Sequence, residues 1–342
     1  MAKNNDEVEH IHRLKAAGQI GDAHNAAQRL ALNFPDDVAL QDVLHKLRME
    51  LLTKQQLDAT IKMGADVERS AQSLAQILTH LVLQEPRLQD PLRLEKFGYS
   101  SASQNEEDGM LTEVFRRIGI ESKTFFEFGV GNGLQNCTLH FLLQGWSGWW
   151  IEIFQPKVKF IREYFDHAIS NGRLTIADTF IDAENIDEVC DELGIPSEID
   201  LLSIDIDGND YHVFERMTAV SPRVVVLEYN PRLPPPMKVV GAYDRGYVYN
   251  ERTYIGASLE SLTEMANRRG YQLVGCSIGG VNAIFVRKDL AQDKFATPAT
   301  AANFFHSARY QLSFSGGFGA GGFANFGELH DSSKSWPQTD DS

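Results

Sequence analysis

From Thr124 onward the sequence is a succession of short apolar runs, and their spacing constrains the fold more than any other feature. The runs are TFFEFGV (124–130), GWWIEI (148–153), RLTIAD (173–178), IDLLSIDID (199–207), RVVVLEY (223–229), YQLVGCS (271–277) and NAIFVRK (282–288). Runs this short, rich in Val, Ile, Phe and Trp, suit strands rather than helices. The segments between the first five contain LQNCTLHFLLQG, PKVKFIREYFDHAI, ENIDEVCDEL and YHVFERMTA. Each is long enough to cross from one strand to a parallel neighbour. Only Ile278–Val281 separates the last two runs, too little for a crossover, so these two form an antiparallel hairpin at one end of the sheet. The spacing predicts a doubly wound α/β domain.

Residues 1–95 lack strand-like alternation and read as helices: HIHRLKAAG, DAHNAAQRLALNF, DVALQDVLHKLRMELL and a stretch from Gln55 through Leu83. The piece GQIGDAHNAAQRLALNFPDD carries Gly18, Ala23, Ala27 and Pro35 at the small, packing and helix-ending positions of a tetratricopeptide-type hairpin. No second copy follows at that repeat's period, so these amphipathic helices are expected to pack on the sheet domain or on a second copy of the chain. The sheet domain is expected over 96–290 and a C-terminal extension over 291–342. The extension's GGFGAGGFANFG has no Lys after its glycines and follows no strand, so it reads as a flexible tail and not a phosphate loop.

Composition narrows the function classes. Acidic residues outnumber basic ones 47 to 32, a net charge of −15, and no basic run interrupts the excess. Nucleic-acid partners are therefore not expected, because phosphate-backbone binding needs concentrated Lys and Arg. The three cysteines, Cys137, Cys190 and Cys276, are too few and scattered for a disulfide framework or a Cys-rich zinc site. No signal-like apolar core or membrane-length apolar segment stands out, and a cytoplasmic location is the expectation.

The segment Glu127-Phe-Gly129-Val-Gly131-Asn-Gly133 falls where the first strand turns towards a helix. Glycines there let the backbone approach a ligand, and the following helix N-terminus offers free N–H groups. Glu152, at the end of the second strand, stands where a carboxylate can accept from both hydroxyls of an adenosine ribose. A dinucleotide fingerprint would place its third glycine at Leu134, whereas the chain has Gly133, and no second mononucleotide-binding half follows. A nicotinamide-dependent oxidoreductase is thus the weaker alternative. Glu127, the shifted glycine and the antiparallel end of the sheet point to S-adenosylmethionine.

Residues 97–288 resemble the class I S-adenosylmethionine-dependent methyltransferases and, within them, the FkbM-like O-methyltransferases. The resemblance is carried by YSSASQNEEDGMLTEVFRRIG (99–119), FFEFGVGNG (125–133), GWWIEI (148–153), DLLSIDIDGNDYHVFE (200–215) and VVVLEYNP (224–231). It implies a Rossmann-like seven-stranded methyltransferase sheet with its last strand antiparallel, preceded here by the helical N-terminal region. It further implies that Glu127, Gly129, Gly131 and Gly133 line the methionine and ribose portion of the cofactor and that Glu152 holds the ribose hydroxyls. Asp178 matches the position that meets the adenine amino group, with Ile153 or Phe154 supplying an apolar face. Gln104, Asn105, Glu106 and Asp108 resemble the group's Ser-Gln-x-x-Glu-Asp segment and would cap the pocket, although Ser103 and Glu106 also read as a helix capping box.

A second constellation follows from spacing. Asp205 and Asp207 lie two apart at the end of the fourth strand, Glu228 and Asn230 two apart at the end of the fifth, so each pair shares a strand face. These four could hold Mg2+ or Mn2+ that acidifies an acceptor hydroxyl. Alternatively Asp207 or His212 acts as general base without a metal; the bland alternative is a turn over 207–210 with Glu228 paired to an Arg. The FkbM-like group carries Asp-x-Glu-Gly where this chain has Asp205-Ile-Asp207-Gly208, a shorter reach for the same charge. The long insertion 230–256, with Tyr243, Tyr247, Tyr249 and Tyr254, is the expected lid over a small-molecule or glycan acceptor. The expected activity is O-methyl transfer, against the alternative of a non-catalytic scaffold whose helices recruit a partner.

Overall fold

The computed structural model describes residues 2–34, 36–206, 208–246 and 256–309. The chain forms two compact units, Met1–Ala71 and Gln72–Ser342. Helices α1 (Ala2–Ala16), α2 (Ile20–Asn33) and α3 (Val38–Leu83) open the chain. In the first unit Ala23, Ala27 and Leu30 of α2 meet Ile11 of α1 and Leu40 and Leu47 of α3. Their spacing of three and four residues puts the apolar side chains on one helix face. Asp37 caps α3, accepting from the Leu40 amide at 3.0 Å. Where the sequence suggested two helices, after Leu52 and from Gln55, α3 runs unbroken for 46 residues. No Pro or Gly stands at that junction, and the Thr53 hydroxyl finds its acceptor within the helix, on the Met49 carbonyl.

The second unit is built on a sheet of β1 (Thr124–Phe128), β2 (Ser147–Ile151), β3 (Leu174–Ala177), β4 (Glu198–Ile204), β5 (Ser221–Glu228), β6 (Tyr271–Cys276) and β7 (Asn282–Arg287). The order is β3-β2-β1-β4-β5-β7-β6; β7 runs antiparallel to β5 and to β6, while the remaining pairs are parallel. This is the expected seven-stranded Rossmann-like methyltransferase fold. Preceding the sheet is α4 (Glu107–Ile118); the crossovers contain α5 (Leu139–Leu143), α6 (Gln155–Tyr164), α7 (Asp166–Ser170), α8 (Ile186–Glu192), α9 (Asp210–Arg216) and α10 (Leu259–Arg268). Short helices α11 (Lys288–Ala291) and α12 (Ala301–Phe304) follow β7.

Alternation along the strands makes two cores. Phe126, Phe128, Leu202 and Ile204 enter one layer, with α8, α9 and α10; Phe125, Trp150, Leu201 and Val224 enter the other, with α4 and α5. Burial on both faces explains why the strands read as continuous apolar runs. At the edge opposite the site, buried Asp200 pairs with Arg223 at 2.7 Å and accepts from the amides of Glu121, Ser122 and Lys123, fixing the turn into β1.

The expectation of a flexible tail from 291 fails for residues 291–309. Phe295, Ala296, Ala301 and Phe304 are buried in the sheet's two cores, and the Tyr229 hydroxyl donates to the His306 carbonyl at 2.9 Å. Glu95 receives Arg93 at 2.5 Å and His306 Nε2 at 3.2 Å in the same interior. Burial alone would raise the Glu95 carboxyl, but hydrogen bonds from His306 and Arg93 hold it at about 2. The apolar FATPATAANFF supplies the side chains that this segment buries; the Gly-rich portion lies outside the described residues.

Candidate active site

A cavity of about 740 Å³ opens at the carboxyl ends of the parallel strands. That is where open α/β sheets hold ligands, and the size suits a small molecule. The glycine loop after β1 forms one wall. Gly129 has φ +82°, and a Cβ there would stand 1.5 Å from the Asp205 carbonyl oxygen, so loop and β4 approach closer than any side chain permits. Gly131 has φ +62° and nothing within 4 Å of where its Cβ would be, which leaves its backbone open to a ligand. Gly133 is different: its Cβ would strike the Trp150 ring at 2.7 Å, and it does not line the cavity. Its role is close packing, because the loop has by then turned down onto β2.

Glu127 borders the cavity but spends its carboxylate on the protein. It accepts from the Cys137 amide at 3.0 Å, the Thr138 amide at 3.1 Å and the Thr138 hydroxyl. These bonds fix the connection into α5 and explain why that helix starts only at Leu139. Burial pushes Glu127 up to about 7 despite the hydrogen bonds of Thr138, Cys137 and Ser203. Glu152, 8% exposed, lies on the cavity beside Lys157 at 3.9 Å, and its Oε1 accepts from the Phe154 amide at 2.9 Å. Ile153 and Phe154 also line the cavity and are exposed, offering an apolar surface.

Asp178 stands apart from this group. Its half-exposed carboxylate takes Gln155 Nε2 at 3.3 Å and Arg162 at 3.6 Å, and Thr179, Phe180 and Ile181 line the cavity in its place. The chain leaves β3 at Ala177, and Asp178 turns outward to α6.

Of the second constellation, Asp205 and Glu228 line the cavity, whereas Asn230 does not. Strand alternation ends at Glu228; Asn230 instead opens a turn, its Oδ1 accepting from the Arg232 amide at 2.9 Å. Asp207 lies outside the described residues, as do Tyr247, Tyr249 and Tyr254. Among the described residues no three His, Cys, Asp or Glu side chains come together as a metal site. His212 also misses the cavity: its Nε2 donates to the Gly241 carbonyl at 2.8 Å, and its ring meets Tyr243, tying α9 to the insertion.

The segment before α4 contributes more than the sequence indicated. Gln104 lines the cavity, but the capping box does not form; Asp108 Oδ2 instead gathers the amides of Ser101, Ala102 and Ser103 at 2.7, 2.6 and 3.0 Å. The Ser103 hydroxyl donates to the Asn105 carbonyl. Glu106 is buried, and burial together with Glu107 pushes its carboxyl up to about 8. Sequence reasoning passed over Glu107, which lines the cavity and accepts from Asn282 Nδ2 at 2.8 Å and from the Asn105 amide at 3.0 Å. The signal was available in the Ser-Gln-x-x-Glu-Asp likeness itself, whose Glu falls on Glu107 when the segment begins at Ser103. Asn209, Asn282 and Cys137 are among the other lining residues missed; Asn209 Nδ2 donates to the Asp244 carbonyl at 2.9 Å. Their positions depend on elements brought together only by folding.

A family model described as "Methyltransferase FkbM domain" matches residues 118–272. No match was found among curated proteins. Among solved structures the chain is similar to the pyocyanin biosynthetic protein PhzM (12% identity, TM-score 0.34, covering 52% of this chain and 54% of that one). It is similar also to a putative caffeoyl-CoA O-methyltransferase from Staphylococcus aureus (13%, 0.34, 52% and 81%) and to PKMT2 from Rickettsia typhi (8%, 0.38, 56% and 55%). The chain thus spans about half the length of the first of these. Strand order and the family match together identify a generic S-adenosylmethionine-dependent methyltransferase fold.

Proposed function

We propose that the chain is an S-adenosylmethionine-dependent O-methyltransferase of the FkbM-like kind, acting on a hydroxyl of a small molecule or glycan. The observation that carries this reading is the open, left-handed Gly131 facing the same cavity as the Glu152 carboxylate. Gly131 leaves room for a ligand against the main chain, and Glu152 offers a ribose an acceptor one strand away. Ile153 and Phe154 cover an adenine face. When bound, the cofactor supplies an electrophilic methyl group on a sulfonium for in-line displacement.

On the other side, Asp205, Asn209 and Glu228 orient the acceptor, and Glu228 or Asp207 takes its proton. The metal alternative loses support from Asn230, whose oxygen is committed to its own turn. No step here needs a divalent ion.

Calorimetry of the full chain with S-adenosylmethionine and S-adenosylhomocysteine tests the reading. The wild type should bind both. Gly131→Val should stay folded, at a cost of about 1–2 kcal/mol for a left-handed β-branched residue, and lose binding by at least tenfold. Undiminished affinity in the folded variant overturns the assignment.

A further inference from the structure

We propose that Glu107 and Glu127 together read the charge on the ligand's sulphur, favouring a sulfonium over the neutral thioether that methyl transfer leaves behind. The inference rests on the cofactor reading above and adds to the site a specificity-determining residue, Glu107. Both carboxyls line the cavity, and both are buried, at 1% and 3% exposure. They reach it from different elements, Glu107 from the first turn of α4 and Glu127 from β1. Both act on Cys137, buried, its thiol pushed far up by burial and by both carboxyls.

The surroundings of the pair are acidic or neutral. Glu107 faces Glu106 and Asp108 on its own turn, Cys137 from the loop before α5, and Asn282 from β7. Asp108 also acts on His140, whose ring is pushed towards the neutral form by burial. Glu127 faces Cys137, Thr138 and, from β4, Ser203. Asp205 and Glu228 border the same cavity, and its lining cation among the described residues, Lys157, stands beside Glu152 on the far side. Burial therefore raises both carboxyls and favours their neutral forms.

A positive ligand reverses that preference. With a sulfonium in the cavity the ionised carboxylate becomes the better form, and its proton leaves to solvent. Affinity for the sulfonium then rises with pH while the free carboxyl titrates, by up to about tenfold per pH unit for each proton released, and levels off above the free pKa. The thioether carries the same ammonium and carboxylate but no charge on sulphur, so comparing the two ligands isolates the sulphur. Once the methyl group has left, ionised carboxylates face a neutral thioether, which favours its departure.

The test is calorimetry of the full chain with S-adenosylmethionine and S-adenosylhomocysteine at about pH 6, 7 and 8, in two buffers of different ionisation enthalpy. With burial pushing Glu127 up to about 7, the affinity ratio of sulfonium to thioether should rise roughly fivefold between about pH 6 and 7 and less steeply above, with net proton release for the sulfonium alone. Glu107→Gln and Glu127→Gln should each reduce the slope. If Glu127→Gln does not fold, Glu107→Gln decides. Equal pH dependence for the two ligands in the wild type overturns the proposal while leaving the cofactor reading intact, and so does an undiminished slope in Glu107→Gln. Failure of S-adenosylmethionine to bind at any pH overturns the cofactor reading itself.

Discussion

The cavity's two sides are built from different materials. Over β1 to β3 the wall is set by main chain, with side chains such as Ile153 and Phe154 hung from it: the loop at Gly129 and Gly131, then the backbone turn that seats Glu152. Over β4, β5 and β7 it is side chain held by side chain, as where Asn282 holds Glu107. A main-chain wall tolerates almost any neighbour but no change in its glycines. A side-chain wall can be re-cut one residue at a time, which suits the half of a transferase that meets the acceptor.

The largest expected effect tests the main-chain wall. Gly129→Val forces a Cβ to within 1.5 Å of the Asp205 carbonyl oxygen, and overlap with backbone cannot be relieved by a rotamer change. Stability should fall by about 3–5 kcal/mol in denaturant unfolding; an unchanged midpoint would erase the contrast between the two walls. Next comes Glu152→Ala, which should leave the unfolding midpoint nearly unmoved. It should weaken cofactor binding by the equivalent of roughly 1.5–3 kcal/mol, read by calorimetry. The smallest effect belongs to Asp178→Ala. Its partners are at the surface, so both the unfolding midpoint and the cofactor affinity should be indistinguishable from wild type. A large loss of affinity there would restore the adenine contact that the sequence resemblance implied.

The same contrast explains what could be read from sequence. The parallel direction of the first five strands follows from short runs and crossover lengths, and the hairpin at Ile278–Val281 follows from its brevity. The spacing of Gly129, Gly131 and Glu152 is local enough to survive as a pattern. Gly133 shows the limit: a glycine in that loop was legible as a place of close approach, but whether its missing side chain made room for a ligand or for Trp150 depended on a strand not yet placed. Asn230 fails for a related reason. A spacing of two means a shared face only while the strand continues, and β5 stops at Glu228. Glu107 and Asn282 are 175 positions apart, and no local pattern joins them.

The contact of Glu95 with Arg93 and His306 has a consequence for how this fold can be inherited or transplanted. Residues ahead of the sheet and residues behind it meet in one dry interior; Arg93 also donates to the Asn303 carbonyl at 3.1 Å. The domain behaves as a belt whose buckle is made from both ends of its length. A chimera begun just after Arg93, or one ended at β7, would keep the buried Glu95 carboxylate but strip it of Arg93 or of His306, and removing one partner of a buried pair costs about 3–5 kcal/mol. The smallest portable piece of this fold is thus longer than its sheet, reaching from Arg93 to at least His306.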